Sequence, residues 1–329
     1  MKPTLAFVVL VAWACAGSDG DSDAAPVVGP ITPPPVAVVD SCAVGRPNFG
    51  SPATSAELSL FGYDVEAPLN LQKTVESATA GVEVSAIAYD SPAGGRVTGM
   101  LFTPLNRSTP RPGIVLMHGM PSRARDMIPF ASTLARYGAV VIAIDAPFAR
   151  RAGPSLRMTK QDRDEQVQLM KDLQRAVDVL RARADVDKER IAYVGVSYGG
   201  AMGALFVGIE RRLKAAALIV ADGGLVTHAT APQALPFLGS LSCATRVAWL
   251  REMAPIEPIR FVGLARPTPL LLQNGRTDTL VPEADAQSLH GAASEPKTIL
   301  WYNAGHALTQ QAALDRHNWL VERIGLDPL

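Results

Sequence analysis

Cysteine is scarce, with three residues in 329, at positions 15, 42 and 243. So few exclude a disulfide-built scaffold, and without a CxxC pair they offer no zinc site. Surplus charge is absent too: Lys and Arg total 31, Asp and Glu total 31, and the formal net charge is zero. With no basic excess to neutralise phosphates, the composition argues against a nucleic-acid binder. No apolar run reaches the roughly 20 residues that a membrane-crossing helix needs. No repeat appears at solenoid periods. A P-loop, a dinucleotide fingerprint after a strand and an HExxH helix are all missing, so no cofactor and no metal is implied. What the chain has is apolar bulk. Hydrophobic residues make up 48% and charged residues 19%, at a length that can bury a large core. Wholesale disorder is therefore excluded.

Residues 1–15 read as an export signal. Lys2 supplies the positive start, and residues 5–14 form an apolar run too short to span a bilayer. Ala12-Trp13-Ala14-Cys15 resembles a bacterial lipobox, in which a lipidated Cys15 becomes the mature N-terminus. Ala12 stands where lipoboxes usually carry Leu, and Trp13 is bulky, so plain secretion is the alternative. Residues 16–41 are rich in Gly, Ser, Asp, Pro and Ala, include Pro33-Pro34-Pro35, and read as a flexible linker. Asp19, Asp21 and Asp23 mimic the start of a calcium loop, but the turn glycine and the closing Glu are missing. The expectation is a periplasmic or cell-envelope protein tethered to the membrane through Cys15. In that oxidising setting Cys42 and Cys243 could pair.

From residue 82 onward, β-rich runs alternate with helical patterns. Residues 82–89 and 96–103 form a leading hairpin around Ser91-Pro92-Ala93-Gly94-Gly95. Near-continuous apolar runs follow at 114–118, 139–145, 191–194, 215–222, 269–274 and 298–302. Strands apolar on both faces belong to a parallel sheet covered by helices on both sides. Helices are predicted at 125–137, 162–184 and 312–324. Gly138 and Gly325 stand just past two of them, where a left-handed cap suits glycine. The expectation is an α/β fold over residues 42–329. Residues 223–267, after the sixth predicted strand, form a small helical insertion over one edge of the sheet, able to act as a cap that shapes a pocket.

Gly195-Val196-Ser197-Tyr198-Gly199 follows a predicted strand and precedes a helix, the context of a nucleophile elbow. A serine hydroxyl needs a base to take its proton. Among five histidines, His306 lies in a loop after the last predicted strand, at the same end of a parallel sheet as the elbow. His228, in the insertion, is a weaker candidate. His290 and His317 fall in predicted helices and read as surface residues. The base needs a carboxylate to orient it. Asp278, in the turn after strand 269–274, is favoured, and Asp222, after the preceding strand, competes. His118-Gly119-Met120-Pro121 follows another strand. The Met120 and Tyr198 amides are placed to act as oxyanion donors, with His118 structural. Arg150, Arg151, Arg157, Lys160 and Arg163 make a basic stretch that reads as a solvated loop and helix start.

Four segments, HGMP at 118–121, GVSYGG at 195–200, NGRTDTLVP at 274–282 and NAGHAL at 303–308, carry a family likeness. On them the chain resembles the α/β-hydrolase superfamily, in particular dienelactone-hydrolase-like and acyl-esterase-like members and the catalytic domain of prolyl-oligopeptidase-type enzymes. The order Ser197, Asp278, His306 is that of the superfamily. Dienelactone hydrolases carry a cysteine nucleophile, so Ser197 points to an esterase. Prolyl oligopeptidases carry an N-terminal propeller for which 329 residues leave no room. The resemblance implies a serine hydrolase that cleaves small-molecule carboxylic esters through an acyl-enzyme. A peptidase, a thioesterase or an acyltransferase with the same residues is the alternative, and a non-catalytic binding protein the remotest.

Overall fold

A computed structural model describes residues 47–105, 110–231 and 240–329. The segments expected to be an export signal and a linker, with Cys15 and Cys42, lie outside the described residues, and Cys243 is within them.

Nine strands form one sheet in the order β1-β2-β3-β5-β4-β6-β7-β8-β9. They are β1 (Gln72–Thr79), β2 (Val82–Asp90), β3 (Arg96–Pro104), β4 (Arg111–Met117), β5 (Val140–Ile144), β6 (Val186–Val196), β7 (Ala215–Ile219), β8 (Leu270–Gly275) and β9 (Lys297–Tyr302). β1, β2 and β3 run antiparallel to their neighbours, and β4 to β9 are mutually parallel. β1 was not expected. It lies at the sheet edge, exposed along its length, so its sequence needs no apolar alternation. With β1 counted, the insertion follows the seventh strand, not the sixth.

The parallel strands β4, β5, β7 and β8 bury both faces, whereas the edge strand β9 does not. In β4, Val115 and Met117 join one core, and Ile114 and Leu116 the other. Successive side chains point to opposite sides of a strand, so an uninterrupted apolar run feeds two cores at once. The described helices are α1 (Ser55–Leu58), α2 (Ile128–Arg136), α3 (Lys160–Arg181), α4 (Tyr198–Ile209), α5 (Leu225–Ala229), α6 (Cys243–Met253), α7 (Glu283–Ala292) and α8 (Gln310–Ile324). α3 starts on a Thr159–Asp162 capping box and buries Met170, Leu173, Val177 and Leu180, a single stripe at helical spacing that the partly buried Val167 extends. α8 ends on Gly325 in the left-handed region at φ 68°.

The insertion covers helices, not a sheet edge. α4 is apolar all round and buried from Tyr198 to Gly208, so its outer side needs a cover. Residues 258–264 supply it. A Cβ on Gly208 would stand 2.4 Å from the Phe261 carbonyl oxygen. α6 packs on α3, where the buried Trp249 indole donates to Asp162 at 2.8 Å.

Candidate active site

The elbow turns at Ser197, which sits at φ 56° and ψ −118°, a strained setting for a residue with a side chain. The turn is held by the Ser197 N–H, which donates to Ile219 of β7 at 2.8 Å. Its tightness dictates glycine on both sides. A Cβ at Gly195 would stand 2.2 Å from the Gly199 carbonyl oxygen, and one at Gly199 2.4 Å from that of Met117. These obstacles are backbone atoms, which cannot rotate away. Gly199→Ala should therefore push α4 off β4 and cost about 3 kcal/mol or more. Chemical denaturation of the purified variant measures this, and a loss below about 1 kcal/mol would contradict it.

His306 leaves the sheet just after β9. Its Nε2 lies 2.9 Å from Ser197 Oγ, and its Nδ1–H donates to Asp278 Oδ2 at 2.7 Å. Asp278 Oδ1 accepts the Leu280 and Val281 amides at 2.8 and 3.0 Å. Burial alone would raise the Asp278 pKa, but the His306 hydrogen bond and charge, helped by those amides, hold it below the usual carboxylate value. An ionised Asp278 keeps the proton on His306 Nδ1 and leaves Nε2 free to accept. The structure thus brings Ser197, His306 and Asp278 into one hydrogen-bonded chain. Asp222 does not join it; its Oδ2 accepts from His228 Nδ1 at 3.0 Å.

The 118–121 loop abuts Ser197. A Cβ on Gly119 would lie 3.3 Å from Ser197 Cβ. Among the described residues, neither the Met120 nor the Tyr198 amide donates to a protein acceptor. His118 is fully buried. Its Nδ1–H donates to the Gly119 carbonyl at 2.7 Å and its Nε2 accepts the Ala146 N–H at 3.1 Å. Burial lowers its pKa, outweighing the backbone bond. It is a brace between two loops and does not reach Ser197.

Other expectations meet different outcomes. His290 and His317 are not surface residues; both are buried. His290 Nε2 donates to Asn274 Oδ1 at 2.9 Å, and burial, with the nearby Lys297 charge, pulls its pKa down to about 4. His317 Nε2 donates to the Asp327 carbonyl at 3.0 Å. Each is a neutral ring satisfied by one acceptor, which helix periodicity alone does not reveal. The basic stretch is spent internally. Arg150 pairs with Asp172, Arg151 with Glu165, and Lys160 and Arg163 with Asp164, while Arg157 bonds Gln161.

A polar cluster beneath the His306 loop escaped sequence reasoning. Gln273, buried within β8, donates to Tyr302 Oη and to the Ala312 carbonyl, both at 2.8 Å. Its Oε1 accepts from the buried Arg316 at 2.9 Å. Tyr302 in turn donates to Asp315 at 2.9 Å. The cluster ties β8, β9 and α8 together just below residues 303–309. A lone Gln inside an apolar run was its signal.

A mostly parallel sheet with a strained serine elbow, an acid loop one strand beyond its neighbour and a histidine loop after the last strand defines the α/β-hydrolase class. The chain belongs to the prolyl oligopeptidase family, whose model matches residues 130–311. It is 32% identical over 153 residues to the uncharacterized protein YfhR of Escherichia coli strain K12, covering 46% of this chain and 49% of that one. It thus spans about half the length of the curated relatives it matches. An acetyl xylan esterase from Paenibacillus sp. R4 superposes with a TM-score of 0.64 at 18% identity, over 82% of this chain and 92% of that one. Acetyl xylan esterase 1 from Thermoanaerobacterium sp. JW/SL YS485 does so at 0.65 and 12% identity, over 83% and 95%. At such identities the likeness is one of fold.

Proposed function

We propose that the protein is a serine hydrolase of carboxylic esters that works through an acyl-enzyme. The observation that carries the reading is the continuous chain from Ser197 Oγ to His306 Nε2, and from His306 Nδ1 to Asp278 Oδ2, at 2.9 and 2.7 Å. His306 takes the Ser197 proton as Oγ attacks the carbonyl carbon. The carbonyl oxygen becomes an oxyanion facing the Met120 and Tyr198 amides, each such donor being worth roughly 3 kcal/mol in the transition state. Protonated His306, steadied by Asp278, hands its proton to the departing alcohol. Water, deprotonated by the same histidine, then releases the acid. Export and a lipid tether at Cys15 belong to the same proposal.

The esterases among the similar folds favour an ester substrate, and the family match favours the second reading, a peptidase. Turnover of p-nitrophenyl acetate against a peptide p-nitroanilide separates them. The ester should win by roughly 100-fold or more in kcat/KM, about 2.7 kcal/mol of transition-state preference. A ratio near or below one would replace the esterase reading with the peptidase one. Thioester substrates and added alcohol acceptors, run alongside, address the thioesterase and acyltransferase alternatives.

A further inference from the structure

We propose that His228, oriented by Asp222, binds a free hydroxyl close to the scissile bond, making this a hydrolase of hydroxylated, sugar- or polyol-like esters. The inference rests on the ester-hydrolase reading above and specifies its substrate.

The pair lies on the rim of the same site. The Ile219 carbonyl that ends β7 is the one that accepts the Ser197 N–H. A Cβ at Gly200, in the first turn of α4, would come within 3.1 Å of the Ala221 Cβ. On the other side, Asn274 of β8 donates to the Ala221 carbonyl at 3.1 Å. Asp222, the next residue, is thus set between the elbow on β6 and the Asp278 loop after β8. Its side chain is 4% exposed and both oxygens are committed, Oδ1 to the Gly224 N–H at 3.1 Å and Oδ2 to His228 Nδ1 at 3.0 Å. The bond to Asp222 places a proton on Nδ1 and turns Nε2 outward. Among the described residues Nε2 has no protein partner, and the His228 side chain is 45% exposed. A buried carboxylate is costly. Here it fixes the tautomer and direction of an exposed ring at the β7 end of the site, within the field of Asp278, the arrangement of a ligand-facing group.

The surroundings select the ligand. Burial would lower the His228 pKa, but the Asp222 hydrogen bond and charge, with the fields of Asp285 and Asp278, raise it. Glu257, buried behind Asp222, is pushed up to about 8 by burial, against the pull of the Thr227 and Val226 amides. Glu257, uncharged near neutral pH, adds no charge of its own, but the carboxylates of Asp222, Asp285 and Asp278 all act on the ring, which disfavours an anionic ligand. An alkyl group packed on Nε2 would leave it dry and unpaired. A hydroxyl meets both protonation states of the ring, donating to neutral Nε2 or accepting from protonated Nε2–H.

Two substrate pairs test this: glycerol monoacetate against propyl acetate, and ethyl 3-hydroxybutyrate against ethyl butyrate. Wild type should prefer the hydroxylated member of at least one pair, mainly through KM. His228→Phe should cut that preference by about tenfold, and His228→Gln, which keeps a donor and an acceptor, should restore much of it. Asp222→Asn should weaken it with the ring still present. A His228→Phe variant that loses activity equally on both members of each pair, or a wild type without any hydroxyl preference, overturns the inference while leaving the esterase reading intact. Absence of turnover on all four esters by wild type would overturn that reading, and this inference with it.

Discussion

Ser197→Ala is expected to lower ester turnover by about 10,000-fold or more and to abolish covalent labelling by a fluorophosphonate probe. Alanine keeps the same Cβ in the same strained turn, so neither the Gly195–Gly199 contact nor the Ile219 bond changes. What goes is the oxygen that must attack. The oxyanion donors and the imidazole remain, and they sustain only a residual rate over water. A Tm equal to that of the parent protein would show that the loss is chemical. Labelling or turnover that persists in the variant would place the nucleophile elsewhere.

Asp278→Asn is the second large effect, a fall in kcat of about 10,000-fold. The substitution preserves shape. The asparagine oxygen can still accept the Leu280 and Val281 amides that now bind Oδ1. Its NH₂ group then faces His306 Nδ1, where a donor has replaced an acceptor. The ring must put its proton on Nε2, and Nε2–H cannot take the proton of Ser197. Asp222→Asn supplies the contrast. Asp222 serves His228, so its loss should act on substrate preference and leave the tautomer of His306 alone. Steady-state kinetics of both variants on one ester decides the matter. A loss of less than tenfold for Asp278→Asn would remove Asp278 from the mechanism.

How much of this could be read from the sequence depended on whether a residue's job was local. The parallel strands were legible because burial on both faces leaves an unbroken apolar run, as in residues 114–117. The elbow was legible because its turn is local: Gly195 answers to the Gly199 backbone four residues on, and the glycine at 199 completes the pattern although the atom it avoids, the Met117 carbonyl, lies on β4. The meeting of Ser197, Asp278 and His306 followed from chain order and from strand ends that share one side of a sheet. β1 was not legible, since an exposed edge strand is held by backbone bonds and its side chains face water. Burial of His290 and His317 was missed because a neutral ring with one acceptor packs as readily as an apolar side chain. The allegiance of Asp222 depended on a helix turn, α5, that brings His228 back over it. The insertion was seen as a unit and misplaced, because the partner that demanded cover was the outer side of α4.

The cluster around Gln273 gives the C-terminal helix a mechanical part in the site. His306 hangs on a loop strung between the end of β9 and the start of α8, and the two ends are lashed to each other through Gln273, Tyr302, Ala312 and Asp315. The span is short and both anchorages are buried or partly buried. The stiffness of the imidazole's perch is therefore set by a helix none of whose atoms joins the Ser197–His306–Asp278 chain. Fraying of α8 would slacken that span well before the sheet lost a strand, so wear at the tail of the chain would be felt first as drift of the base away from Ser197.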